Sequence, residues 1–182
     1  LSMTSAGGAI TIGTISAASG SLDVTITSSG GSANTVAVGA IGGSTNINTV
    51  AITGSTSVTL NGNITTDESS GNSLTVTGTT INTGAITIDT DNSNDGAINL
   101  VGSVAGSNNN LALDSGGAEI TLSGTAFNLG SGSLTTTGDI NLAANVSITA
   151  TGGMTINDKI DADNASSNDR TLTLSSGTGA AM

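Results

Sequence analysis

Apolar and polar positions alternate in short bursts along the whole chain. The commonest burst is a triplet with threonine between two aliphatic residues: ITI from Ile10, VTI from Val24, VTL from Val58, LTV from Leu74, ITI from Ile86, ITL from Ile120, MTI from Met154 and LTL from Leu172. Side chains on a strand point alternately to opposite faces, so each triplet sends two aliphatic groups inward and one β-branched hydroxyl outward. The pattern predicts short strands with one wet face. Helical spacing is never sustained, because Gly, Asn and Ser interrupt every window long enough to hold a helix.

Aligned on these triplets, the sequence shows a unit of about twenty residues or a little more: a strand, a short polar step, one apolar residue, a polar loop and a second strand ending near Gly. Copies start at Ile10, Val58, Ile98 and Met154, with weaker ones at Val36 and Ile120. Residues 79 to 96 read as an inserted strand and loop. Stacked units of this length predict a right-handed parallel β-helix, or β-solenoid, with polar Gly/Asn/Ser corners. Seven or eight rungs at ~4.8 Å make a rod of roughly 35 to 40 Å with no internal boundary, so residues 1 to 182 are one segment of an array. The competing fold is an antiparallel sandwich, for which Asn61-Gly62 and Asp95-Gly96 would be hairpin signals.

Composition favours the coil. Phe127 is the only aromatic residue, and the hydrophobic 35% is otherwise aliphatic, with Met as its only other member. A sandwich core usually draws on bulky aromatic side chains, whereas thin aliphatic layers suit a narrow solenoid. The absence of proline fits a backbone committed to hydrogen-bonded ladders.

The segments VTLNGNI, INLAANVSITATGG and LTLSSGTG resemble the β-helix repeats of filamentous-haemagglutinin-type exoproteins and autotransporter passengers. The likeness spans nearly the whole chain and is one of style and period; the secretion-domain signature of such exoproteins is not visible. It implies an extracellular or bacterial cell-surface setting, and a structural or adhesive segment of a larger secreted protein.

Thirteen acidic residues against Lys159 and Arg170 give a net charge of −11, which repels a phosphate backbone or an anionic bilayer. Nucleic acid is not an expected partner, and no apolar run is long enough for membrane insertion as a helix. Histidine, cysteine and tyrosine are absent, which removes Ser-His-Asp and Cys-His nucleophiles and zinc sites built on imidazole or thiolate. No enzyme and no cofactor are expected. The nominal carboxylate pairs for glycoside hydrolysis are Asp161 with Asp163 and Asp67 with Glu68, and both read as solvated loops.

Asp89, Asp91 and Asp95 in DTDNSNDG are the best calcium candidates, since oxygen-rich loops closed by Gly hold that ion. The bidentate Glu of an EF-hand is missing, Gly102 standing at its position, and a polar corner is the alternative. The acidic run from Asp158 to Asp169 reads the same way. Thr11, Thr25, Thr59, Thr75, Thr87, Thr121, Thr155 and Thr173 would form a hydroxyl ladder if they shared one face, the arrangement that suggests ice binding, although Thr is also simply a good polar strand former. Asn108 to Asn110, with Asn92 and Asn94, would form an amide ladder or occupy corners. The leading expectation is a rigid stalk or adhesin module. The alternatives are a fibre or sheath subunit, making end-to-end contacts with further repeats or identical subunits, and a calcium- or ice-binding module.

Overall fold

A computed structural model describes residues 1–17, 22–31, 33–43, 47–67, 71–162 and 169–177. Among them there are strands and turns but no helix, and therefore no helix long and apolar enough to cross a membrane. The strands pair only in parallel, as a β-solenoid of about 7 turns. The parallel-coil expectation holds and the antiparallel sandwich falls.

Each turn contributes to three faces. The first is built from β1 (Ser2–Ser5), β3 (Leu22–Ser28) and the leading halves of β5 (Ile47–Leu60), β7 (Asn72–Thr83) and β9 (Ala97–Ala105). It continues through the trailing halves of β10 (Leu111–Leu122) and β12 (Ser133–Leu142) to β15 (Ile160–Asp161). The second face takes β2 (Ile10–Ile12), β4 (Thr35–Val38), the trailing halves of β5, β7 and β9, then β11 (Ala126–Asn128), β13 (Val146–Ala150) and β16 (Leu172–Ser176). The third consists of single bridges at Ile15 and Ile41, then β6 (Ile64–Thr65), β8 (Ile86–Asp89), the leading halves of β10 and β12, and β14 (Gly153–Ile156).

The interior is a set of aliphatic columns. On the first face Val24, Val50, Leu74, Ile98, Ile120, Ile140 and Ile160 lie in direct register. On the second, Ile10, Val36, Val58, Ile81, Val104, Phe127, Ile148 and Leu174 do the same. The one aromatic ring thus occupies an ordinary rung, 2% exposed. Residue numbers down the first column advance by 26, 24, 24, 22, 20 and 20, and down the second by 26, 22, 23, 23, 23, 21 and 26, so turn length varies while the rungs stay aligned. Corners absorb the difference, since length added there leaves the ladder intact.

Two expectations need correction, and the hairpin signals of the competing fold fall with it. The unit starts Ile10, Val36 and Val58 are in register on the second face, but Ile98 and Ile120 sit on the first and Met154 on the third. All three faces use the same inward-outward-inward triplet, so an alignment on triplets slips from face to face when turn length changes. Residues 79 to 96 contain no insertion: they hold the end of β7 and the whole of β8, which pairs with β6 and β10 like any third-face strand. Neither Asn61-Gly62 nor Asp95-Gly96 makes a hairpin, since the strands on either side of each lie on different faces of a parallel coil.

The third-face column runs Ile15, Ile41, Ile64, Ile88, Leu113, Thr136, Ile156. Thr136 is 1% exposed and its Oγ1 has no hydrogen-bond partner. A buried hydroxyl left unpaired costs ~1–3 kcal/mol, and valine has nearly the same shape without that cost. Thr136→Val is therefore expected to stabilise the chain by ~1 kcal/mol and raise the melting temperature by ~2–4 °C, read by circular dichroism.

Candidate functional site

A cluster of carboxylates lies at the corner where the third face meets the first. β8 ends at Asp89, and residues 90 to 96 loop outward before β9 begins. The loop is closed from within: the Gly96 amide donates to the Thr90 carbonyl at 3.0 Å, and the buried Thr90 hydroxyl donates to the Gly96 carbonyl. The carboxylates then act on backbone. Asp89 Oδ1 accepts the Asp91 N–H at 3.0 Å, Asp114 Oδ1 accepts that of Gly116 at 3.2 Å, and Asp95 Oδ2 reaches one turn on to accept that of Gly117 at 2.9 Å. Asn94 Nδ2 donates to Asp67 Oδ1 in the preceding turn at 3.2 Å.

Asp91 and Asp95 close over Gly116. Its φ is +58°, which favours glycine, and a Cβ there would lie 2.6 Å from Asp95 Oδ1 and 2.8 Å from Asp91 Oδ1, so any larger residue would have to push the two carboxylates aside. The Asp91 carboxyl is held above its ordinary 3.8, first by hydrogen bonding with Asp95, then by slight desolvation and the charges of Asp95, Asp114 and Asp89. A raised folded-state value means that Asp91 favours the fold when protonated. That contribution is fully present below 3.8 and lost as pH rises through the raised value. Asp91→Asn should therefore make this corner slightly more stable at neutral pH and flatten its pH dependence below neutrality. Amide exchange of residues 90 to 96 at two pH values checks this, and an unchanged dependence would count against it.

Asp89, Asp91 and Asp95 are thus neighbours in one corner, yet among the described residues no three acidic side chains are arranged to hold a metal ion. Glu68 and Asp163, the partners of Asp67 and Asp161 in the nominal pairs, lie outside the described residues. So do residues 163 to 168 of the run from Asp158 to Asp169, within which Asp158 Oδ2 accepts the Gly138 N–H at 2.8 Å.

A second polar patch was not among the sequence-derived candidates. Glu119 and Asp139 are in register on β10 and β12, and Lys159 follows beside Asp139 with an N–O distance of 3.0 Å. With Asn141 and Asp161 they line a shallow open cleft on the first face. The Lys159 ammonium is raised above its usual range by hydrogen bonding to Asp139 and by the Asp139, Asp161 and Glu119 charges. The signal lay in the sequence: a charged residue immediately precedes the inward Ile120, Ile140 and Ile160 in three successive turns.

The asparagines do not stack into an amide ladder. They pin backbone in the neighbouring turn instead. Asn63 Oδ1 accepts the Thr87 N–H at 3.0 Å, Asn108 that of Ser131 at 3.0 Å, Asn110 that of Ser133 at 2.9 Å and Asn145 that of Thr171 at 2.9 Å. Each bond spans one turn at a corner where the strand ladder is interrupted, satisfying an amide that would otherwise lack a partner.

The eight predicted threonines likewise fail to share a face. Thr25, Thr75 and Thr121 fall on the first, Thr11, Thr59 and Thr173 on the second, and Thr87 and Thr155 on the third. A different set does line up: Thr4, Thr27, Thr53 and Thr77 occupy one uninterrupted outward column on the first face. Beside it run Ser2, Thr25, Ala51 and Thr75. The eight strand segments of the second face carry no charged residue.

No protein-family model matches this chain, and no curated protein or solved structure is significantly similar to it. The comparisons thus supply no relative through which the likeness to filamentous-haemagglutinin-type exoproteins or autotransporter passengers could be traced, and the statement that stands is the architecture, a parallel β-solenoid of about 7 turns.

Proposed function

We propose that this chain is a rigid structural segment of an extracellular or cell-surface protein, a stalk or adhesin module that sets a distance. The observation that supports this reading is the run of inward aliphatic columns and parallel pairings on the first and second faces, continuous among the described residues, which gives a rod of ~34 Å for seven steps of ~4.8 Å. Rigidity along such a rod comes from the backbone bonds between turns, supplemented by the asparagine and aspartate pins at the corners. Leu1 and Met3 at one end, with Ile160 and Leu174 at the other, continue the same columns, so further turns would lengthen the rod through contacts of the kind it already contains. Proteinase K digestion in native buffer tests the reading. A stalk exposed outside the cell should survive as a resistant core containing β3 to β14, and rapid loss of the whole chain would contradict it.

A second reading has its own support. The in-register hydroxyls and methyls of Thr4, Thr27, Thr53 and Thr77, repeating at ~4.8 Å beside Ser2, Thr25, Ala51 and Thr75, form a regular array suited to ordering water or binding ice. Thermal hysteresis and ice shaping by the native chain, abolished in Thr53→Lys, would establish it. A native chain without either activity at high concentration would end it.

A further inference from the structure

We propose that the Asn61–Gly62 peptide is a spontaneous modification site, at which the Asn61 side chain is converted to aspartyl and isoaspartyl forms through a cyclic imide. The dipeptide sits at the corner between β5, ending at Leu60, and β6, beginning at Ile64. Asn61 is exposed, and its own N–H is anchored on the Val38 carbonyl at 2.8 Å. The Gly62 N–H has no hydrogen-bond acceptor among the described residues, so the nitrogen that must attack is not held elsewhere.

Packing compels this sequence. A Cβ on Gly62 would lie 2.5 Å from the Ala40 nitrogen and 2.8 Å from Ala40 Cα, so the backbones of adjacent turns touch here and only glycine fits. The structural need for glycine places the least hindered attacking amide directly after an exposed asparagine, a residue type already known for thermal lability. The Gly62 nitrogen loses its proton and bonds to Asn61 Cγ; the Cγ–Nδ2 bond breaks and ammonia leaves. Water then opens either carbonyl of the imide, and no oxidant or reductant takes part.

Four other corner asparagines are better protected. Asn63, Asn108, Asn110 and Asn145 have their Oδ1 atoms fixed on the next turn and are followed by Ile64, Asn109, Leu111 and Val146, which hinder attack. The natural internal competitor is exposed Asn92, followed by Ser93. Two consequences follow from the product. A carboxylate enters the stretch from residue 24 to 66, which carries no charged side chain. The isoaspartyl form also adds a methylene to the main chain where it presses on Ala40, displacing Ile64 from its register with Ile41 and Ile88.

The test is to age the folded chain in mildly alkaline buffer and follow each asparagine by peptide mass spectrometry, with enzymatic methylation to detect isoaspartate. Asn61 should convert several-fold faster than Asn92, and the aged fraction should melt lower than fresh protein, a loss that Asn61→Gln does not show on the same schedule. The proposal is overturned if native chain keeps its Asn61 amide while chain in denaturant loses it, or if Asn92 converts first.

Discussion

Replacing Gly102 by alanine should lower the melting temperature by roughly 6 °C or more, the largest loss expected from adding one methyl group to this chain. Gly102 has φ +142°, and a Cβ built on it would lie 1.8 Å from the Gly78 carbonyl oxygen of the turn before. It belongs to a column at the corner between the first and second faces, where Gly54, Gly78, Gly102 and Gly124 follow one another; a Cβ built on Gly124 would likewise lie 2.0 Å from the Gly102 carbonyl oxygen. A backbone conformation closed to L residues costs ~1–3 kcal/mol. Overpacking against rigid backbone costs a further ~1–3 kcal/mol, since neither turn can move without disturbing its own ladder. Gly7→Ala is the matched control: nothing lies within 4 Å of its Cβ position, and a change within about ±0.5 kcal/mol is expected. Equal effects at the two positions would refute the close approach of turns at this corner.

The second large effect is expected at Ile98, in the middle of the first-face column and fully buried between Leu74 and Ile120. Ile98→Ala should cost ~2–5 kcal/mol through the cavity it leaves. Ile98→Asp should do more, because the carboxylate has no partner in an aliphatic interior and must either protonate or pull the rung apart. In a coil each turn touches only its neighbours, so the damage should be graded along the axis. Urea unfolding reads the total. Amide exchange should show protection lost first in β7, β9 and the trailing half of β10, with β1 and β16 affected no more than in the parent. Uniform loss of protection over all strands would mean that the chain behaves as one globular core.

The coil was legible because its rule is local: two inward aliphatic residues flanking one outward polar residue define a strand of the right kind wherever they occur. Phase along the chain was not legible, because the rule is the same on all three faces. Ile98 and Val58 look like equivalent unit starts, and only the pairings Ile98↔Leu74 and Val58↔Val36 show that they occupy different faces. The hydroxyl columns were missed for the same reason. Thr4, Thr27, Thr53 and Thr77 are separated by 23, 26 and 24 residues, a series that no fixed period picks out. The acidic corner was found as a sequence but not as a structure. Nothing in DTDNSNDG reveals that Asp95 reaches the Gly117 amide in the following turn or that Gly116 lies beneath both carboxylates.

Distances between paired spin labels measure most directly whether the turns lie one over another in fixed register, on a chain with no native cysteine to interfere. With one label at Thr4→Cys and the second placed in turn at Val101→Cys, Thr77→Cys and Thr53→Cys, the separation should shorten by one inter-strand step of ~4.8 Å each time, from about 19 Å between backbones in the first pair. Distances that fail to fall in equal steps, or that are broad for every pair, would contradict the stacked coil and the stalk reading together.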